Sequence, residues 1–194
     1  RSTWPRWPSP LPPLPDVPPL PPLDELVGQT WTENFNDHTI RDAVDDALEL
    51  PPPHVHPFYG PIADWDVSNV TDMESMFEGV ADFNGDLSRW DVSNVTSMKC
   101  MFWGASVFNG DLSRWDVRNV TSTDGMFGMF GYARTFNGDL SGWDVGEVTN
   151  MTGMFEEAAV FNGDLSRWDV SNVTTMADMF RGAEAFNGDL SRWD

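Results

Sequence analysis

Apolar positions along this chain return in a fixed order about every 25 residues. The clearest marker is tryptophan, at Trp65, Trp90, Trp115, Trp143, Trp168 and Trp193, in steps of 25, 25, 28, 25 and 25 residues. In the copy that begins at Phe83, the apolar positions are Phe83, Leu87, Trp90, Val92, Val95, Met98, Met101 and Phe102, and Asn, Asp, Ser, Arg and Thr stand between them. A period in this range marks a solenoid, in which each repeat buries its apolar face only against its neighbours. Within one copy, the turn-bounded Asn84-Gly85-Asp86-Leu87-Ser88 predicts a brief strand around Gly85 to Ser88. Trp90, Val92 and Val95 then alternate with polar partners through an extended corner. Thr96 predicts the cap of a helical turn whose Met98, Met101 and Phe102 follow i, i+3, i+4 spacing toward the core, and Gly104 its stop. All 10 Met residues fall in this slot. The expected fold class is an α/β solenoid with a short strand and a helical turn in each repeat.

The pattern divides the chain into three. Residues 63–194 carry the repeats. One copy departs from the others: a three-residue insertion lies around Gly125 to Phe130, and Thr123 stands where Met is expected. The next copy has Gly142 in place of Arg, and Gly146-Glu147 in place of Ser-Asn. Residues 24–62 lack the repeat. There, Thr39-Ile40-Arg41-Asp42 is a capping-box-like start, and Ile40, Val44, Ala47 and Leu48 fall on one face. These predict a helix over about 39–50, stopped by Pro51-Pro52-Pro53 and serving as an N-terminal cap for the solenoid. Residues 1–23 are proline punctuated by Leu, Ser and Val, which excludes an interior helix or a central strand. Polyproline II is the expected state, reaching roughly 50–60 Å at ~3.1 Å per residue. Three readings of this arm stay open. It is a stiff spacer, or a docking arm whose Pro12, Leu14, Val17, Leu20 and Leu23 present an apolar stripe to a partner groove, or a site of hydroxylation and O-glycosylation around Ser9-Pro10.

Charge narrows the partners. With 11 Lys+Arg against 31 Asp+Glu, the net charge of −20 disfavours nucleic acid and anionic membrane and favours cations or basic partners. No apolar run approaches the ~20 residues that span a bilayer, so no membrane insertion is expected in this segment. The single Cys100 excludes an internal disulfide framework. The chain opens at Arg1 without an initiator Met or apolar leader and stops at Asp194 halfway through a repeat. A solenoid ending there leaves an apolar edge, so further chain, or another molecule, is expected to cover it.

The string Trp-Asp-Val-Ser-Asn-Val-Thr-x-Met-x-x-Met-Phe, preceded by Phe-Asn-Gly-Asp-Leu-Ser, resembles the BspA-like leucine-rich-repeat surface proteins. The lead-in Thr39-Ile-Arg-Asp-Ala-Val-Asp and Tyr59-Gly-Pro-Ile-Ala-Asp-Trp65 is similar too, and the likeness covers roughly residues 35–194. The resemblance implies a right-handed leucine-rich-repeat-type solenoid on a secreted or cell-surface protein. Of activity it implies little beyond adhesion.

Stacking turns equivalent side chains into columns ~4.8 Å apart where strands pair. Asp86, Asp111, Asp139, Asp164 and Asp189 form one acidic column, and Asp91, Asp116, Asp144, Asp169 and Asp194 a second. A row of Ca²⁺ sites is one reading. Neutralisation by Arg89, Arg114, Arg167 and Arg192, with Asp side chains capping backbone N–H groups, is preferred, because no Ca²⁺-loop spacing accompanies the columns. Asn84, Asn109, Asn137, Asn162 and Asn187 are expected to form an internal amide ladder between turns. Asn69, Asn94, Asn119, Asn150 and Asn172 each open an N-glycosylation sequon, in a position that also suits backbone bonding. His54 and His56 could make a metal pair, but a surface loop explains them without a third ligand. The Met columns read as core filling, and Cys100 lacks the partners of a nucleophile.

The expected protein is therefore a non-enzymatic, extracellular or cell-surface repeat protein for adhesion or protein–protein interaction. Two alternatives are a head-to-tail filament assembled through the proline-rich arm, as a homo-oligomer, and a Ca²⁺-binding acidic surface protein.

Overall fold

Successive copies of the repeat lie against one another through their backbones. The structure, a computed structural model, describes residues 34–51, 54–121 and 124–193; the arm with Pro12, Leu14, Val17, Leu20 and Leu23, and also Thr123 and Asp194, lie outside the described residues. Met73, Ser75, Phe77 and Gly79 donate their N–H groups to the carbonyls of Ser97, Lys99, Met101 and Trp103 in the next coil. Met98, Cys100, Phe102 and Gly104 do the same to Gly125, Phe127, Met129 and Gly131. The N–H groups between these turn back three residues within their own coil, as in Met101 to Met98, Trp103 to Cys100 and Ala105 to Phe102.

This alternation replaces the helical turn expected after Thr96. An α-helix spends every interior N–H on its own preceding turn, whereas here every second one is spent on a neighbour. The chain achieves it with a left-handed residue at every fourth position: φ is 52° at Cys100 and 74° at Gly104. Such residues do not occur in a right-handed helix, and the i, i+3, i+4 pattern of Met98, Met101 and Phe102 is met by consecutive turns instead. Thr96 caps nothing helical; its N–H and its hydroxyl both donate to the carbonyl of Thr71 in the preceding coil. The strand expected around Gly85 to Ser88 is also not formed. There the Asn84 side chain, not the backbone, accepts the N–H of Asn109, so no main-chain ladder develops.

The hydrogen bonds also correct the register of the insertion. Met98 bonds to Gly125 and Cys100 to Phe127, which places Met126 in the slot of Met98. The extra residues are therefore 122–124, and the Met position given to Thr123 belongs to Met126, fully buried like Met98.

The interior is made of aromatic files. Phe77, Phe102, Phe130, Phe155 and Phe180 stack with centroids 5.5, 5.6, 5.7 and 5.7 Å apart. A second file, Phe83, Phe108, Phe136, Phe161 and Phe186, runs beside it at 5.9 to 6.0 Å spacing. Trp65, Trp90, Trp115, Trp143 and Trp168 are buried at 4% exposure. Each indole N–H reaches a main-chain carbonyl, in the coils after the first always that of the preceding copy: Trp90 to Ile62, Trp115 to Leu87, Trp143 to Leu112, Trp168 to Leu140 and Trp193 to Leu165. The tryptophan thus fills the core and closes a gap between coils with one side chain.

At the N-terminal end, helix α1 (Thr39–Leu48) covers the first coil with Ile40, Ala43, Val44 and Ala47, all buried. Leu48 is half-buried against the same core. The capping pair lies three residues earlier than expected. Asn36 Oδ1 accepts the N–H of Thr39, and Thr39 Oγ1 accepts the N–H of Asn36. Asp37 takes the N–H groups of Thr71 and Asp72 and the hydroxyl of Thr71, and Arg41 donates to the carbonyl of Glu74, so α1 stands where a preceding coil would. Strands β1 (Val55–His56) and β2 (Gly60–Pro61) pair antiparallel and lead into the first repeat.

Candidate functional site

The exposed columns hold the coils in place. Asp86, Asp111, Asp139, Asp164 and Asp189 each accept the N–H of the Ser two residues on, at 2.9 to 3.0 Å. Asp91 and Asp169 do likewise. The Asp column is thus a run of local turns, and among the described residues no group of three or more metal-capable side chains forms. Compensation by arginine is narrower than expected: Arg89 pairs with Asp64 of the preceding coil, whereas Arg114, Arg167 and Arg192 form no ion pair among the described residues. The serine hydrogen bonds, more than the arginines, hold these carboxyls below the ordinary range.

That depression carries a pH dependence. A carboxyl whose folded pKa lies below its unfolded one stabilises the fold above the unfolded value, and the contribution disappears as pH falls through the folded value. Thermal unfolding followed by circular dichroism should show a midpoint that is flat above about pH 5 and declines below about pH 4. A midpoint that rises on acidification would mean that relief of the −20 net charge outweighs the lost turns.

The asparagine ladder exists, on the exposed face and not internally. Asn84, Asn109, Asn137 and Asn162 each accept the N–H of the equivalent Asn in the next copy, ending at Asn187. Of the sequon residues, Asn94, Asn119 and Asn172 donate Nδ2 to the carbonyls of Ser68, Ser93 and Gly146 one coil back. Asn150 donates to Asp124, and Asn69, in the first coil, is exposed. The two histidines do not converge and are not on a surface loop; they are buried at 7% and 6% exposure. His54 Nδ1 meets the carbonyls of Ala47 and Leu50 at the end of α1, and His56 Nδ1 accepts the N–H groups of Phe58 and Tyr59. Burial pushes the His56 pKa down.

A cleft of about 430 Å³ opens where the cap meets the repeats, between Pro61-Ile62-Ala63 and Asp82 to Asp86. Much of its polar lining is already engaged: His54 with α1, Asn84 with the N–H of Asn109 and Asp86 with that of Ser88. Cys100 is half-buried, and burial lifts its thiol to about 11, far from a ready nucleophile.

One place on the surface breaks the polar columns, and the repeat pattern alone did not single it out. The Trp103 ring lies over Gly128 and Gly131 of the following coil and reaches toward Gly153 of the one after. Tyr132 packs against it with ring centroids 5.0 Å apart at 51°, and the Tyr132 hydroxyl donates to Glu156, which pairs with Arg181. Tyr132 has φ 57° where Gly79, Gly104 and Gly182 occupy the equivalent position. A left-handed tyrosine costs about 1–2 kcal/mol. The signal in the sequence was the exchange of glycine and side chain between two columns, visible only once the register was known.

The family model described as "Mycoplasma protein of unknown function, DUF285" matches residues 54–128 and again 126–194. The chain belongs to this family. The two matches meet within the coil that carries the insertion and cover the repeats with the loop before them. No curated protein and no solved structure matches the chain.

Proposed function

We propose that this member of the DUF285 family is a non-enzymatic repeat scaffold, placed outside the cell or on its surface, that adheres to protein partners. In this reading it is a right-handed solenoid of the BspA-like leucine-rich-repeat type, with turns in place of its strand and helix. The observation that carries it is how the polar side chains are employed. The Asp column repeats one local bond through the array, and the Asn and Trp columns each repeat one bond between coils, so the molecule offers a long, rigid, acidic face. Rigid arrays of this kind present extended binding surfaces, and a −20 charge keeps them soluble while attracting basic partners.

Beads coated with the chain should adhere to surfaces carrying basic extracellular polypeptides, and free chain should compete them off. Attachment no greater than that of albumin-coated beads would overturn the adhesive reading.

A filament is the second reading, and it rests on the apolar stripe of Pro12, Leu14, Val17, Leu20 and Leu23 in the proline-rich residues 1–23, suited to docking on a second copy of the chain. Electron microscopy of the chain with and without residues 1–23 separates the cases. Filaments lost on deletion support arm docking, and a monodisperse monomer before deletion discards the polymer.

A further inference from the structure

We propose that Trp103 and Tyr132 form a platform for a lysine or arginine side chain presented by a basic partner polypeptide. The inference rests on the adhesive reading and names the chemistry of the partner and the place where it is held.

Each coil has two left-handed positions four residues apart. In three coils the first carries a side chain and the second glycine: Ser75 and Gly79, Cys100 and Gly104, Asp178 and Gly182. In the two coils under and beyond Trp103 the order is reversed, as Gly128 and Tyr132, then Gly153 and Glu157. The exchange has two consequences at once. It clears a floor, because a methyl group at Gly128 would stand 2.7 Å from the Trp103 ring and one at Gly131 would run into it. It also raises Tyr132 and Glu157 at the edge of that floor, both at positive φ. Covering the glycines would require the indole alone. Among the described residues each coil carries one left-handed side chain, but only at Tyr132 is it an aromatic one, and it stands beside the indole with both rings half-buried.

Electrostatics selects the occupant. Glu78, Glu74 and Asp124 act on the Cys100 end of the platform, opposed by Lys99, and Glu156 and Glu157 act on Tyr132, opposed by Arg181. Glu156 is paired with Arg181, but Glu78 and Glu157 form no ion pair among the described residues. Half-buried aromatic faces bordered by free carboxylates attract a cation through both the ring quadrupole and direct charge. A neutral sugar would gain only the stacking.

Hexalysine is a suitable probe, titrated calorimetrically into the whole chain at physiological salt. Trp103→Ala should weaken binding about tenfold or more, and Trp103→Phe should retain part of it. Tyr132→Gly restores the residue that three other coils use, so it preserves the fold and should weaken binding as well. Asp42→Asn removes one charge on the exposed side of α1, outside the columns, and should leave affinity nearly unchanged. Equal losses for Trp103→Ala and Asp42→Asn would mean diffuse attraction to an acidic chain and would overturn the platform. So would no binding by the unaltered chain, or displacement of the peptide by a neutral oligosaccharide. If beads bearing Trp103→Ala and Tyr132→Gly adhere as well as the unaltered ones, the platform fails while adhesion stands.

Discussion

Replacing Trp143 with alanine should lower the stability of the array by about 3–5 kcal/mol, the range of large-to-small core substitutions. Trp143 is 4% exposed, stacks on Trp115 at 6.5 Å and donates its indole N–H to Leu112 at 3.0 Å. Alanine therefore opens a cavity between two coils and removes one of the two hydrogen bonds to the Leu112 carbonyl, which keeps the N–H of Trp115. Trp143→Phe separates the two contributions: it restores most of the volume but not the indole N–H bond to Leu112, whose carbonyl still accepts the N–H of Trp115, and about 0.5–1.5 kcal/mol should remain lost. Chemical denaturation with fluorescence and hydrogen exchange would measure both. Because coils interact chiefly with nearest neighbours, the damage should concentrate in the copies that flank Trp143. A loss below 1 kcal/mol for the alanine variant would mean that the tryptophan file is not the seam between coils.

How the chain divides its backbone hydrogen bonds explains what could be read from sequence. The identity of the core residues was legible, since the apolar order from Phe83 to Phe102 repeats almost unchanged and each of its members is buried. Local conformation was not. Met98, Met101 and Phe102 have helical spacing, but the feature that excludes a helix is a left-handed residue at Cys100, an ordinary side chain that advertises nothing. The alternation of N–H groups between own coil and next coil is a property of pairs of copies, invisible within one. The same limit displaced the insertion to Gly125–Phe130, because residue spacing alone could not tell Met126 from a newcomer. Only the bond from Met98 to Gly125 settles it.

Function was less legible still, for a related reason. A repeat makes every column conspicuous, and conspicuous columns invite a binding role. Here the Asp, Asn and Trp columns carry the bonds of the fold. The departures carry the surface character, and they are short: Trp103, Tyr132, Glu157 and the glycines that make room for the indole. Their meaning depends on which coil lies over which.

The strongest test of how the array begins is Ile40→Asp. Ile40 is fully buried between α1 and the first coil, and a carboxylate there has no cationic partner supplied by the core residues around it. The expected cost is about 4 kcal/mol or more, in the class of buried unpaired charges. Asp42→Ala, on the exposed side of the same helix, serves as the control and should stay within about 0.5 kcal/mol. The spatial pattern matters more than the total. α1 takes the place of a preceding coil through Asp37 on Thr71 and Asp72 and Arg41 on Glu74, so losing its apolar seat should uncover Trp65, Met73 and Phe77 first. Amide exchange should accelerate most in residues 65–79 and progressively less toward Phe155, and the uncovered end should drive association detectable by light scattering. Uniform acceleration along the whole array would instead mean that the coils unfold as one unit, and that α1 contributes stability without acting as an end cap.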